Sequence, residues 1–469
     1  MSEETTGWAS DEFGEADLGD RRRAQRLILM AGVAALRPAG KVTEVFSDSA
    51  EREGAFRFLE NDDVDEAEIR RSAHRAGARR CGADAFAYVP VDQTSLTITD
   101  VQKRKRLGMV GTRTYASEGL QVMTAVVVTP DGTPQGLVGQ SYWTRERTGR
   151  RKKDTRHKRK VEDKETQYWL DVIEQGRSAF AEVAPTTRPW FQLDRGGDAW
   201  PVLQLTAGAD FWITVRASWD RRVNPQDEAP QQYLWQTMER SKPLGRYVQE
   251  VPDGPHRTAR VATVEIRAQR VTLDLWAKPS TRRIQTEIWA VLAREVDTTP
   301  AGEDPIEWML LTNHPAASFE NARRVVFGYS QRWRIEEFHR AWKSGACRVE
   351  EAQLRDRDHL IPWAVILASV ALRIMRLTYL SRTQPQRPAS LELSAPEIEA
   401  IVRLARPHNH THGATPTIAQ AVYWIARIGG YTGKSSGGPP GALVIARGLR
   451  RIEPLVDVLV AEGKRSDQW

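Results

Sequence analysis

The stretch YSQRWRIEEFHRAWK (329–343) sets Tyr329, Arg332, Glu336 and Lys343 at relative positions 0, +3, +7 and +14. Read as one helix turning about 100° per residue, the four share an arc of about 60°. Ile335, Phe338 and Trp342 then fall on roughly the opposite side. One face packs inward, and the other presents a carboxylate flanked by a phenol, a guanidinium and an ammonium. A single acid among phosphate-binding groups suits a site that holds a metal ion against nucleic-acid backbone. The same spacing also fits a ladder of surface ion pairs on an amphipathic helix.

Outward from this stretch, the acids that could join Glu336 lie at strand ends. AFAYVPVDQT (85–94) is an apolar run ending in Asp92, and RPWFQLD (188–194) is a short strand ending in Asp194. Between them LQVMTAVVVT (120–129) and LVGQSYW (137–143) read as strands joined by PDGTPQG, whose Pro, Asp and Gly are turn residues. A helix near 163–183 and a strand over 209–217 flank Asp194. Strand-strand-strand-helix-strand, with acids at strand termini, suits a ribonuclease-H-like α/β core. RTARVATVEIRAQRVTLDLW (257–276) and TEIWAVLAREV (286–296) are again β-rich. They predict a β insertion over about 225–300 between Asp194 and Glu336. An isolated Asp after a strand is ordinarily a turn residue or a helix cap. Asp198 in LDRGGD is the rival to Asp194, and Glu337 points about 100° away from Glu336.

The chain has 469 residues, too many for one core, with 40% hydrophobic and 28% charged residues, which describes a soluble globular protein. No run of about 18 apolar residues occurs, so no membrane span is expected. The acidic start MSEETTGWASDEFGEAD has no apolar core and is not a signal peptide. Cys81 and Cys347 form no CxxC, which fits a reduced, cytoplasmic setting. The net charge is +7, and RERTGRRKKDTRHKRK (145–160) concentrates ten basic residues against two acids. Such a run is either a solvated loop or a segment that tracks phosphates. Residues 1–75 read as short helices. Within LGDRRRAQRLILMAGVAAL (18–36), Arg21 and Arg22 sit in a first turn where they oppose the helix dipole, which points to phosphate contact or to a simply exposed basic turn. Residues 358–382 predict a buried apolar helix, and 390–469 read as helical after a linker-like SRTQPQRPAS.

Three signals fail. GGYTGKSSGG (429–438) has Ile428 where a phosphate-binding loop needs Gly. His408, His410 and His412 alternate in a polar linker without acid or Cys partners. Neither cysteine has a pattern that would make it a nucleophile.

The spacing Tyr-x2-Arg-x3-Glu-x6-Lys resembles the Y-R-E-K motif of DDE-type cut-and-paste bacterial insertion-sequence transposases, most closely those of the transposon-Five kind. GAFRFLENDDV (54–64), VDQTSL (91–96), DKETQYW (163–169), LDRGGD (193–198), EWMLLT (307–312), RWRIEEFHRAWKSGA (332–346) and IARIGGY (425–431) resemble that family's blocks in the same order. The resemblance implies a helical DNA-binding domain (1–75), a ribonuclease-H-like catalytic domain with a β insertion (76–370) and a helical dimerisation domain (371–469). It implies Asp92, Asp194 and Glu336 as catalytic residues and ligands of Mg²⁺ or Mn²⁺, with two ions per site. It also implies phosphate contacts from Tyr329, Arg332 and Lys343, a base-stacking role for Trp308, and DNA contacts from Arg216, Arg21 and Arg22. Lys164 and Glu165 match a family pair of uncertain role. The last helices depart from the family: GALVIARGLRRIEPL (441–455) lacks the tryptophans often found there. The implied partners are double-stranded DNA (element ends and target) and a second copy of the chain in a homodimer, and the implied function is cut-and-paste transposition. A nuclease of the same fold and a non-catalytic DNA-binding regulator are the alternatives.

Overall fold

The computed structural model describes residues 7–466 except 112–115, 146–163, 209, 226–229, 255–256, 278–279, 281, 409, 412 and 435–437. All of the basic run but Arg145, and also His412, thus lie outside the described residues. Helices α1 (Gly7–Phe13), α2 (Arg21–Leu36), α3 (Val42–Val45), α4 (Ser49–Leu59) and α5 (Glu66–Arg79) come first. Strands β1 (Phe86–Thr97), β2 (Gly108–Gly111), β3 (Ala116–Val128) and β4 (Pro134–Trp143) follow. Then come α6 (Thr166–Val183), β5 (Arg188–Leu193), α7 (Trp200–Gln204) and β6 (Trp212–Arg216). Next are β7 (Arg222–Val223), β8 (Gln232–Tyr233), α8 (Leu234–Arg240), β9 (Pro243–Val251), β10 (Arg260–Trp276), β11 (Arg283–Val296) and β12 (Glu307–Thr312). Helices α9 (Phe319–Ser330), α10 (Trp333–Lys343), α11 (Arg357–Thr383), α12 (Ala395–Ala405), α13 (Ile418–Ile428) and α14 (Ala442–Ser466) complete the described chain.

The strands form one mixed sheet in the order β2-β3-β1-β5-β6-β12-β11-β10-β7-β8, with β4 on β3 and β9 on β10. β1, β5 and β6 run parallel, while β3 is antiparallel to β1 and β4 to β3. The β-rich segment after 225 is not a separate sheet. β12 pairs antiparallel with β6 and carries β11 and β10 on as the same hydrogen-bonded surface. The segment also contains the helix α8, which its composition did not suggest.

Side-chain alternation gives the sheet two cores. Tyr88 and Trp190 pack on one face with α9, α10 and α11. Val89, Val91, Phe191 and Leu193 pack on the other, against α6 and α7. Both faces being covered explains why β1 and β5 read as continuous apolar runs. On the α6 side, α5 lies so close to β4 that a Cβ on Gly77 would sit 2.2 Å from the Leu137 carbonyl oxygen.

Two expected divisions cut through single helices. α5 runs through residue 75, and α11 runs through residue 370. α11 is long and apolar enough to cross a membrane by composition, but 94% of its most apolar stretch is covered by the rest of the protein. Its neighbours include α2, α4, α5, α10, α13, α14 and β4, so it lies in a core shared by both ends of the chain.

The helix expected over 329–343 is two helices. α9 ends at Ser330 and α10 begins at Trp333. At the joint the Arg332 N–H donates to the Tyr329 carbonyl (3.0 Å) and the Ile335 N–H to the Arg332 carbonyl (3.1 Å), three-residue bonds that tighten the turn. Gln331 and Arg332 keep right-handed helical dihedrals, so nothing in their residue types marks the break.

Candidate active site

Strand parity and register place the two aspartates. Val91 pairs with Leu193 in the parallel β1–β5 ladder, so Asp92 and Asp194, one residue further on each strand, emerge side by side. Both alternate with residues of the α6-side core and therefore face α10. The parallel pairing of β1 with β5 ends just before them, but Asp92 is not at a strand end as expected: β1 runs on through it to Thr97 in its pairing with β3. Asp194 caps the turn Arg195–Gly197, its carboxylate accepting from the Gly196 N–H at 2.7 Å. Asp198 is spent elsewhere: it is buried and accepts from Arg221 Nη1 and the Ser218 N–H, both at 2.6 Å.

α10 brings the third acid. Ile335, Phe338 and Trp342 are fully buried and fix the helix against the core. Each contributes about 1.5–3 kcal/mol by burial. Glu336 lies on the side away from them and half-buried. Glu337 turns elsewhere and accepts from the Tyr379 hydroxyl at 2.5 Å.

Arg332 ties the acids together. Its Nη1 donates to Asp92 Oδ2 at 3.0 Å and its Nη2 to Glu336 Oε1 at 2.5 Å. Burial pushes the Asp92 carboxyl up to about 6, the Asp194 charge adds to the rise, and Arg332 opposes it. Among the described residues, no three acidic, histidine or cysteine side chains stand close enough as placed to cage a metal ion. The guanidinium lies between Asp92 and Glu336, supplying the positive charge that the acids call for. The donor set, three carboxylates of like charge, is nonetheless of the chemistry that hard divalent cations take.

The remaining candidates divide. Tyr329 is buried, and burial raises its phenol's pKa against the opposing charges of Arg332 and Arg216. Arg216 donates to the Glu307 carbonyl at 3.1 Å. The Trp308 ring meets the Tyr329 ring edge-on, centroids 5.1 Å apart at 71°, so the half-buried indole flanks the acids. Lys343 ends α10, with Nζ 3.4 Å from Thr94 Oγ1 and 3.6 Å from Glu350 Oε1. Arg21 and Arg22 are exposed at the start of α2, whose N-cap Asp20 accepts from the Arg22 N–H at 2.7 Å. Their neighbour Arg23 is committed to Asp63. They stand on a different element from the three acids. Glu165 is bidentate with Arg145.

Two participants escaped the sequence reading. Trp333 is 48% exposed, with the Arg332 guanidinium 5.6 Å from its ring centre. Glu350 is a structural partner that keeps Lys343 beside β1 and also accepts from the Thr97 N–H at 2.8 Å. An exposed tryptophan next to a site arginine was a usable signal, whereas Glu350 lies beyond the helix end, where periodicity says nothing. Both cysteines are buried, which raises their thiols' pKa and leaves them neutral. His410 packs edge-on against Trp424. Residues 5–64, spanning α1 to α4, match the family model for transposase DNA-binding, which supports a DNA-binding transposase.

Proposed function

We propose that the chain is a DDE-type cut-and-paste transposase with Asp92, Asp194 and Glu336 as its catalytic acids. The observation that carries this is the placing of Asp92 and Asp194 side by side just past the last pair of the parallel β1–β5 ladder, with Arg332 linking Asp92 to Glu336. The order β4-β3-β1-β5-β6, with β1, β5 and β6 parallel, supports a ribonuclease-H-like core. The transposase DNA-binding match supports DNA as the partner.

The three acids would hold Mg²⁺ or Mn²⁺. Such ions, when bound, supply charge stabilisation to the attacking and leaving oxygens of phosphodiester exchange. The chain's own groups do the rest. Arg332 has a planar fork that suits two oxygens of one phosphate, and Lys343 adds a point charge. Trp308 offers a flat surface for an unstacked base. Water attacks a phosphodiester at the element's tip and releases a 3′-hydroxyl. That hydroxyl attacks the opposite strand, closing a hairpin and expelling the flanking DNA. A second water reopens the hairpin, and the same hydroxyl then attacks target DNA. A homodimer holding both ends, the assembly the resemblance implies, is part of this proposal, as is a bacterial cytoplasmic setting.

The test is incubation of the purified protein with its element's end DNA and Mg²⁺, read on denaturing gels beside Glu336→Ala. Cleavage with a hairpin species, lost in the variant while DNA binding persists, is expected. Binding without cleavage by the unmodified protein favours a regulator, and equal cleavage by both proteins removes Glu336 from the site.

A further inference from the structure

Strand β1 carries the chain past the acids into a basic loop. Beyond Asp92 it runs on to Thr97, about 16 Å further at the rise of a strand. The chain then turns through TDVQKRKRL (99–107) and enters β2 at Gly108. Lys103, Arg104, Lys105 and Arg106 are consecutive cations in this turn. β1 and β5 are parallel, so the loop lies beyond the same end of the sheet at which β5 delivers Asp194. One more cation lines the way. Lys343 Nζ lies 3.4 Å from Thr94 Oγ1, and its partner Glu350 accepts from the Thr97 N–H.

The loop is clamped. The Asp100 carboxylate accepts from the Arg104 N–H at 3.1 Å and from the Lys105 N–H at 2.9 Å. Arg106 donates to Asp356 at 2.8 Å and to Asp358 at 2.5 Å, and the Lys105 carbonyl accepts from the Arg357 N–H at 3.0 Å. These partners cap and open α11, so the loop is fastened to the side of the sheet that α10 and α11 cover. Asp92 and Asp194 turn to that same side. Within the clamp, Lys103 and Arg106 take left-handed backbone, at φ of 51° and 56°. Glycine or asparagine adopts that backbone at lower cost, so the turn itself does not explain a lysine at 103. Backbone held in such a region points to a use for the side chain. Arg106 has its two acids. Lys103 and Arg104 are exposed, and among the described residues no acid pairs with either.

We infer that Lys103 and Arg104 form a second phosphate grip on duplex DNA, several base pairs from the phosphodiester held by the acids. The strand length from Asp92 to Thr97 spans about five base pairs at about 3.4 Å each. Long cationic side chains on a fixed loop meet the backbone, so this grip sets the position of the duplex and reads no sequence. The inference deepens the reading of the chain as a DNA-processing enzyme and rests on it.

The probe is a duplex of about 40 base pairs containing the element's end, titrated into the full chain at several salt concentrations. Lys103→Gly with Arg104→Gln is expected to melt no lower than the unmodified chain, because glycine suits the left-handed backbone. The same variant is expected to bind about tenfold more weakly near 0.1 M salt and to lose about two units from the slope of log affinity against log salt. Lys103→Arg with Arg104→Lys keeps both charges and is expected to keep affinity within about a factor of two. An unchanged slope in the Gly/Gln variant overturns the inference, as does equal loss in the charge-preserving variant. Placement is read separately. Cys81 and Cys347 are buried, so Gln102→Cys offers one open thiol for an iron chelate that cuts nearby DNA. Cuts clustered about five base pairs from the tip of the element are expected, and cuts that are absent or evenly spread overturn the placement. The underlying reading fails on a different result: an unmodified chain that binds this duplex but cleaves nothing with Mg²⁺ tells against the acids whatever the salt slope shows.

Discussion

At the scale of single residues, the site is a balance of three like charges and one arginine. Folding raises the Asp92 carboxyl from its ordinary range to about 6, so the folded chain holds that proton more tightly than the unfolded one. Ionising it therefore costs nothing below about pH 4, costs progressively more from about pH 4 to 6, and carries the full cost above that window. Asp92→Asn is expected to melt higher than the unmodified protein at pH 7, by roughly 2–3 kcal/mol in stability. The difference should shrink toward pH 4, and calorimetry across that range checks it. Arg332→Ala has the opposite sign. It leaves Asp92 and Glu336 facing each other without their bridge, and a loss on the order of 3 kcal/mol is expected. That variant should also gain more melting temperature from added Mn²⁺ than the unmodified chain does. The three acids were singled out by their resemblance to family blocks, since an isolated Asp after an apolar run reads equally well as a turn residue or a cap. The bridge was not, because it joins residues 240 apart.

At the scale of elements, strands and helices follow the sequence closely where one pattern dominates. β5 and α11 follow their apolar runs closely because those runs are bounded, whereas β1 continues past the end expected at Asp92 through polar residues to Thr97. The break between α9 and α10 was not legible, since Gln331 and Arg332 are ordinary helix formers and the turn is set by packing on either side. The partner of β12 was equally hidden, because pairing across about a hundred residues leaves no local trace. The role of α5 turns on a contact that composition cannot show. Gly77→Ala would force a methyl into the Leu137 carbonyl. A loss of about 3 kcal/mol or more is expected, since backbone on both sides must separate. Urea titration of the variant measures it, and a loss below about 1 kcal/mol would mean that α5 can lift from β4.

At the scale of the whole molecule, the ends of the chain are not appendages. α11 carries Trp363, fully buried, whose indole donates to the Gly40 carbonyl at 2.7 Å. Trp363→Ala is expected to cost about 3–5 kcal/mol and to loosen the N-terminal helices together with the sheet. Hydrogen exchange should show both regions exchanging faster in that variant. A chain ending at residue 370 cuts α11 in two and is expected not to melt cooperatively. The divisions at residues 75 and 370 implied by the resemblance run through α5 and α11, because matching sequence blocks do not show which helices share a core.

The Arg332 bridge has one more consequence. A site whose acids are already answered from within rests in a locked state. On the proposed reading, a backbone phosphate, the natural partner of a guanidinium fork, would draw the arginine away and uncover the carboxylates. On that reading the key is the substrate itself, and DNA that is not fully seated meets acids that are still covered.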